Sequence, residues 1–212
     1  MRIAVINEVS AAHRNSDIIN ALEGRGFEIL NIGMKSPDEE QKIFYPHTGL
    51  LTALALNLDR ADFVVGGCGT GQGYLDSAML YPGVFCGHIL NSMDSWLFAQ
   101  INAGNTISLA LNQGYGWAAE VNLKFIFDRL FEVEIGSGYP KTRAEPQEKM
   151  RKMLEEVSRT THKSLADILK DLSDEVVVPA LTYPGIREFL DIDTIKDDEI
   201  RKILNRRIGG KE

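Results

Sequence analysis

Short apolar runs alternate with helically spaced apolar positions through the first half of the chain. Ile3 to Ile6 is a continuous apolar run, the pattern of a strand buried on both faces. Ile18, Ile19 and Leu22 recur at helical spacing within Ser16 to Glu23, and Gly24 and Gly26 end that segment. Phe27 to Ile32 predicts a second strand, Leu50 to Asp59 an apolar helix, and Phe63 to Val65 a third strand running into a glycine cluster. Val84 to His88 and Thr106 to Leu109 predict two more strands. Tyr74 to Leu80, Asn91 to Ile101 and Gly116 to Phe131 predict the helices between and after them. This alternation predicts an α/β fold, a doubly wound (Rossmann-like) parallel sheet of about five strands with helices on both faces. Such sheets bind ligands outside the carboxyl ends of their strands. Those ends are Asn7-Glu8, Gly66 to Gly73 and His88 to Asn91.

The pattern changes beyond Gly136-Ser137-Gly138-Tyr139-Pro140, a loop by composition. Glu145 to Arg159 predicts a charged helix. Leu165, Ile168, Leu169 and Leu172 form one apolar stripe, and Ile200, Ile203 and Leu204 another, with a capping box at Thr194 and Asp197. Val176 to Val178 is a short apolar run stopped by Pro179. The expected organisation is an α/β domain over residues 1–142 and a helical C-terminal extension over residues 143–212, packed on the core or on a partner subunit. The stripes fit packing surfaces better than a cofactor site.

Composition narrows the function. Of 212 residues, 44% are hydrophobic and 25% charged, ordinary for a globular protein, and the net charge is −7 with no basic stripe. Nucleic acid and anionic membrane surfaces are therefore not expected partners. The apolar run after Met1 is too short for a signal peptide and is followed by Glu8, and no stretch approaches a bilayer span, so a cytoplasmic location is expected. Cys68 and Cys86 make no disulfide framework, and no Cys or His pair has metal-ligand spacing, so no metal or cofactor is expected.

The densest chemical signal is Gly66-Gly67-Cys68-Gly69-Thr70-Gly71-Gln72-Gly73, between a strand and a helix. Glycines let backbone N–H groups approach a ligand, and the start of a helix favours anions and thiolates. The loop fits neither a dinucleotide fingerprint nor a Walker A loop, since Gln72 or Tyr74 stands where the last glycine would fall and the loop contains no lysine. A cysteine phosphatase loop would need arginine at Tyr74. Two readings remain: a tight strand-to-helix turn with Cys68 as a small buried hydrophobe, or a reactive thiol in an oxyanion-binding loop. Cys86, inside an apolar strand, fits plain core.

Gly67-Cys68-Gly69-Thr70-Gly71-Gln72-Gly73, Tyr81-Pro82-Gly83-Val84 and Asn102-Ala103-Gly104-Asn105, with Tyr45-Pro46, resemble the ribose-5-phosphate isomerase B / galactose-6-phosphate isomerase family. The resemblance covers about residues 1–145. It implies an aldose–ketose isomerase, an intramolecular oxidoreductase working through a cis-enediolate without a cofactor. Cys68 matches the family's cysteine base, where some members instead use a glutamate at the position of Tyr74. Thr70 matches the hydroxyl residue that moves protons between substrate oxygens, and the backbone of Gly69, Gly71 and Gly73 would stabilise the enediolate oxygen. The implied substrate contacts are Glu8, Tyr45, Asn102, Asn105 and Arg143, in a homodimer or homotetramer whose neighbouring subunit completes the site.

The departures from that pattern are specific. The family's Asp-His after strand one is Glu8-Val9, its ring-opening His is Ile101, its Asn-Lys pair is Met79-Leu80, and the arginine after Pro-Gly is Phe85. Of two phosphate-binding arginines, one position is Tyr139 and the other is retained as Arg143. His88, at a strand end, is the first candidate to replace the imidazole, ahead of His47 and His13. An altered substrate follows, lacking a phosphate or carrying a different anion. Two other functions compete: a catalytically weak sugar-binding subunit, which the retained Cys68 and Thr70 argue against, and a thiol hydrolase, for which no partner base has a signature.

Overall fold

A computed structural model describes residues 1–209. The strands are β1 (Arg2–Asn7), β2 (Glu28–Asn31), β3 (Phe63–Cys68), β4 (Cys86–Ile89) and β5 (Thr106–Ala110). They form one parallel sheet in the order β2-β1-β3-β5-β4. Helices α1 (Asn15–Leu22), α2 (Tyr45–Asn57), α3 (Gln72–Ala78), α4 (Ser92–Leu97) and α5 (Ala119–Phe131) connect and follow the strands. Alternate residues of each strand serve opposite faces. Ile3 and Val5 of β1 join Ile18, Leu22, Ile126 and Phe127 on one side, while Ala4 and Ile6 join Leu50, Leu54 and Tyr74 on the other. The central strands β1, β3 and β5 are largely buried because both faces are covered.

The chain leaves β1 along one face through α1 and returns to β3 along the other through α2. The carboxyl ends of β1 and β3 therefore flank a crevice where the winding reverses, the ligand position in such sheets.

Several boundaries differ from the pattern. Helix α2 begins at Tyr45, not Leu50, because Pro46 sits in the first turn, where its missing N–H costs nothing. Strand β3 continues to Cys68, with Gly66 and Gly67 paired to Ser108 and Leu109. Trp117 is 100% exposed just before α5.

After α5 come α6 (Ala144–Thr161), α7 (Leu165–Asp171), α8 (Asp174–Leu181), α9 (Ile186–Leu190) and α10 (Asp198–Ile208). Helix α6 is pinned near the amino end of β5 by Arg151, which donates to the carbonyls of Ile101 and Gly136. Its Met150, Met153, Leu154 and Val157 are exposed at helical spacing. Helices α7 to α10 pack against α2, and Leu169, Val177, Leu181, Ile186 and Leu204 share one apolar cluster with the sheet residues Ala4, Ile6 and Val64. Arg60 staples this region by donating to the carbonyls of Leu190 (2.8 Å) and Asp191 (3.1 Å) and to the Thr194 hydroxyl (2.6 Å). The capping box is not formed: Asp197 alone caps α10, accepting from Glu199 and Ile200, and Thr194 is taken by Arg60. Pro179 does not stop its segment either, and lies inside α8.

Candidate functional site

Cys68 ends β3 at the crevice, 6% exposed, with Sγ 4.0 Å from the Thr70 hydroxyl. Thr70 Oγ1 also accepts from the Gln72 amide at 3.3 Å, which turns the chain into α3. Gly71 has a φ of +75°, a left-handed conformation that glycine adopts without strain. The amides of Thr70, Gly71 and Gly73 have no hydrogen-bond acceptor among the described residues. They are available to a developing oxyanion.

The Gly69 amide is not. It donates to the Ser10 hydroxyl at 2.8 Å, so the oxyanion role inferred for Gly69 from sequence does not hold for its N–H. The Ser10 hydroxyl donates in turn to Glu8 Oε1, which also accepts the Ser10 amide at 3.0 Å. Asn112 locks the arrangement, its side chain donating to the Ser10 carbonyl and its amide to the Gly69 carbonyl, both at 2.9 Å. Glu8 is 3% exposed, and its burial pushes the carboxyl above the usual range while Ser10 pulls it back. Because Asn7 pairs with Gly67, Glu8 and Cys68 follow neighbouring strand ends, about 5 Å apart in backbone.

His88, at the end of β4, donates Nε2–H to the Thr70 carbonyl at 3.0 Å, leaving Nδ1 as the acceptor nitrogen. A side chain on Gly71 would strike that ring at 2.6 Å. His88 thus braces the loop. The Tyr45 ring lies directly on Gly73, where an added Cβ would come within 2.9 Å of it. His47 has both ring nitrogens engaged in the fold, and His13 is exposed.

Tyr74, where some resembling proteins carry a catalytic glutamate, is fully buried beneath the loop. Its ring fills the space over Gly66, where an added Cβ would lie 2.0 Å from Cζ, and its hydroxyl is 2.6 Å from that of Thr52. Burial raises its phenol well above the ordinary value, so it stays neutral.

A single copy does not bring the remaining candidates here. Val64 pairs with Thr106 and Cys68 with Ala110, so Asn105 lies five residues, about 16 Å, below Cys68 along the strands. Its side chain accepts from the Phe85 amide (2.9 Å) and donates to the Gly83 carbonyl (2.8 Å), clamping the turn into β4. Asn102 ends a π-helical turn on the same side. The loop before Arg143 is tied to that turn, with the amides of Gly136 and Gly138 donating to Ala99 and Gln100. Arg143 itself is exposed.

Sequence reasoning missed Ser10, Asn112 and Asn7. The only signal for Asn7 was a polar residue closing an apolar strand. It is fully buried, and neither of its amide atoms is paired among the described residues. Ser10 and Asn112 act through contacts 59 and 102 residues apart in sequence, which leave no local trace.

Residues 3–134 match the Ribose/Galactose Isomerase family. A structure described as 4-deoxy-L-threo-5-hexosulose-uronate ketol-isomerase complexed with a tartrate is 37% identical, with a TM-score of 0.93 over 99% of this chain and 100% of its own. A ribose-5-phosphate isomerase from Vibrio parahaemolyticus is 36% identical, with a TM-score of 0.92 over 98% of this chain and 99% of its own. The ribose-5-phosphate isomerase B of Clostridium thermocellum shares the fold at 21% identity and a TM-score of 0.64, covering 76% of this chain and 99% of its own. No curated protein matches.

Proposed function

The chain belongs to the ribose/galactose isomerase family, and from that membership we propose that it interconverts the aldose and ketose forms of an acidic sugar through a cis-enediolate, with Cys68 as the base. The observation that carries the reading is the placement of Cys68 and Thr70 at the crevice beneath unpaired loop amides. The Cys68 thiolate takes the proton from the carbon beside the carbonyl and returns it to the carbonyl carbon. Thr70 passes a proton from the hydroxyl oxygen to the former carbonyl oxygen, so that atoms and charge balance. The amides of Thr70, Gly71 and Gly73 hold the enediolate oxygen. Glu8, fixed at one oxygen by Ser10, keeps the other for a sugar hydroxyl.

The two similar full-length structures carry different substrate names, a hexosulose uronate and a pentose phosphate. The residues of this chain favour the carboxylate. A phosphate dianion needs several charge-assisted donors, and Val9 and Tyr139 replace two of them, leaving Arg143. A ring-opening imidazole is also missing at Ile101, which suits an open-chain keto-uronate. A panel of free, acidic and phosphorylated sugars is expected to give kcat/KM at least about tenfold higher for a keto-uronate than for ribose 5-phosphate, or about 1.4 kcal/mol. Preference for ribose 5-phosphate by the same margin would overturn the substrate assignment and leave the isomerase assignment standing.

Arg143 and Asn102 lie at the opposite end of the sheet from Cys68, so we assign them to the site of a second copy. Light scattering at assay concentration is then expected to give at least a dimer. Mixing Cys68→Ala with Arg143→Ala chains should restore activity, since each mixed dimer holds one intact site. Monomeric behaviour, or no recovery on mixing, contradicts this.

A further inference from the structure

The first turn of α2 and the middle of α8 each contain a backbone group that the helix itself cannot satisfy. At the start of α2, the Phe44 N–H precedes any intrahelical acceptor. In α8, Pro179 has no N–H, so the carbonyl of Glu175 four residues earlier has no donor from its own helix. His47 satisfies both. Its Nδ1 accepts the Phe44 N–H at 2.9 Å, which places the ring proton on Nε2, and Nε2–H donates to the Glu175 carbonyl at 3.0 Å. The ring is buried, so a group it left unpaired would have no water to turn to. A second staple runs beside it, where Gln41 Nε2 donates to the Pro179 carbonyl (3.0 Å) and to the Thr182 hydroxyl (3.2 Å).

Tyr45 occupies the same first turn, two residues before His47. Its ring rests on Gly73 of the cysteine loop and remains 48% exposed beside the crevice. We infer that His47 is a positioning residue: by tying the proline-interrupted helix α8 to the first turn of α2, it fixes Tyr45 over the glycine loop, so the C-terminal extension sets how tightly the sugar is held. This rests on the isomerase reading only in taking Tyr45 as a wall of the substrate site. The ring and its α8 partner lie 128 residues apart in sequence. The sequence signals are Pro179 inside an apolar run and a histidine in a helix's first turn.

The test is a double-mutant cycle on the full chain. His47→Ala is expected to raise KM for the sugar about tenfold, with kcat within about twofold, because the tyrosine is loosened while the thiol is untouched. His47→Gln places an amide at the capping-box position and should return KM to within about twofold of wild type. In a Tyr45→Ala background, His47→Ala should have no further effect on KM. The dissociation constant for tartrate, by calorimetry, supplies the same cycle without turnover. If wild type isomerises no sugar, the isomerase reading falls, and the tartrate cycle still decides the role of His47. A fall in melting temperature with unchanged KM and tartrate affinity, or a His47→Ala effect that persists in full without Tyr45, would overturn the inference.

Discussion

Cys68→Ala is expected to lower kcat by about 10²–10⁴-fold, the range for removing a positioned base. The substitution deletes one sulfur at the end of β3 and leaves the backbone pairing with β5 intact. Its stability cost should stay near 1 kcal/mol, ordinary for a point change. Circular dichroism should match wild type. Wash-in of solvent deuterium at the reacting carbon should stop together with turnover, because both need the same proton abstraction. Cys68→Ser, which keeps the shape but not the acidity, should be nearly as slow. Full activity in either variant would remove the thiol from the mechanism and turn attention to Glu8 across the crevice.

Leu204→Ala is expected to destabilise the whole protein by about 2–5 kcal/mol, the cost of truncating a buried leucine. Leu204 lies in the last helix, fully buried in the cluster that also contains Leu54 of α2 and Val64 of the sheet. If that cluster is one cooperative core, unfolding should remain a single transition. The melting temperature should then fall by about 2–4 °C for each kcal/mol lost. Two transitions, with the α/β transition unmoved, would show that the extension unfolds alone.

Much of the fold was legible because the central strands of the sheet are largely apolar on both faces and each flanking helix carries an apolar stripe. The start of α2 was not fully legible, since the apolar run that marks the helix begins only at Leu50. Nor was helix α8, because a proline in a valine run looks like a terminator until the orphaned carbonyl is seen to be taken by His47. At the site, the glycine pattern pointed to Cys68, Thr70 and the loop amides. It also pointed to the Gly69 amide, which is occupied by Ser10 in the turn after β1. Motif spacing grouped Asn105 with the site, whereas strand register puts it at the far end of the strands from Cys68.

The Tyr74 ring over Gly66 bears on what position 74 can carry. Among the proteins this sequence resembles, the alternative base is a glutamate at the position of Tyr74. Here that position is sealed between the bare backbone of Gly66 and the hydroxyl of Thr52. A carboxylate placed there in one mutational step would be desolvated without a cationic partner, at a cost of several kcal/mol. It would also vacate the volume that the phenol ring now fills. A single Tyr74→Glu change is therefore expected to lower stability rather than supply a working carboxylate.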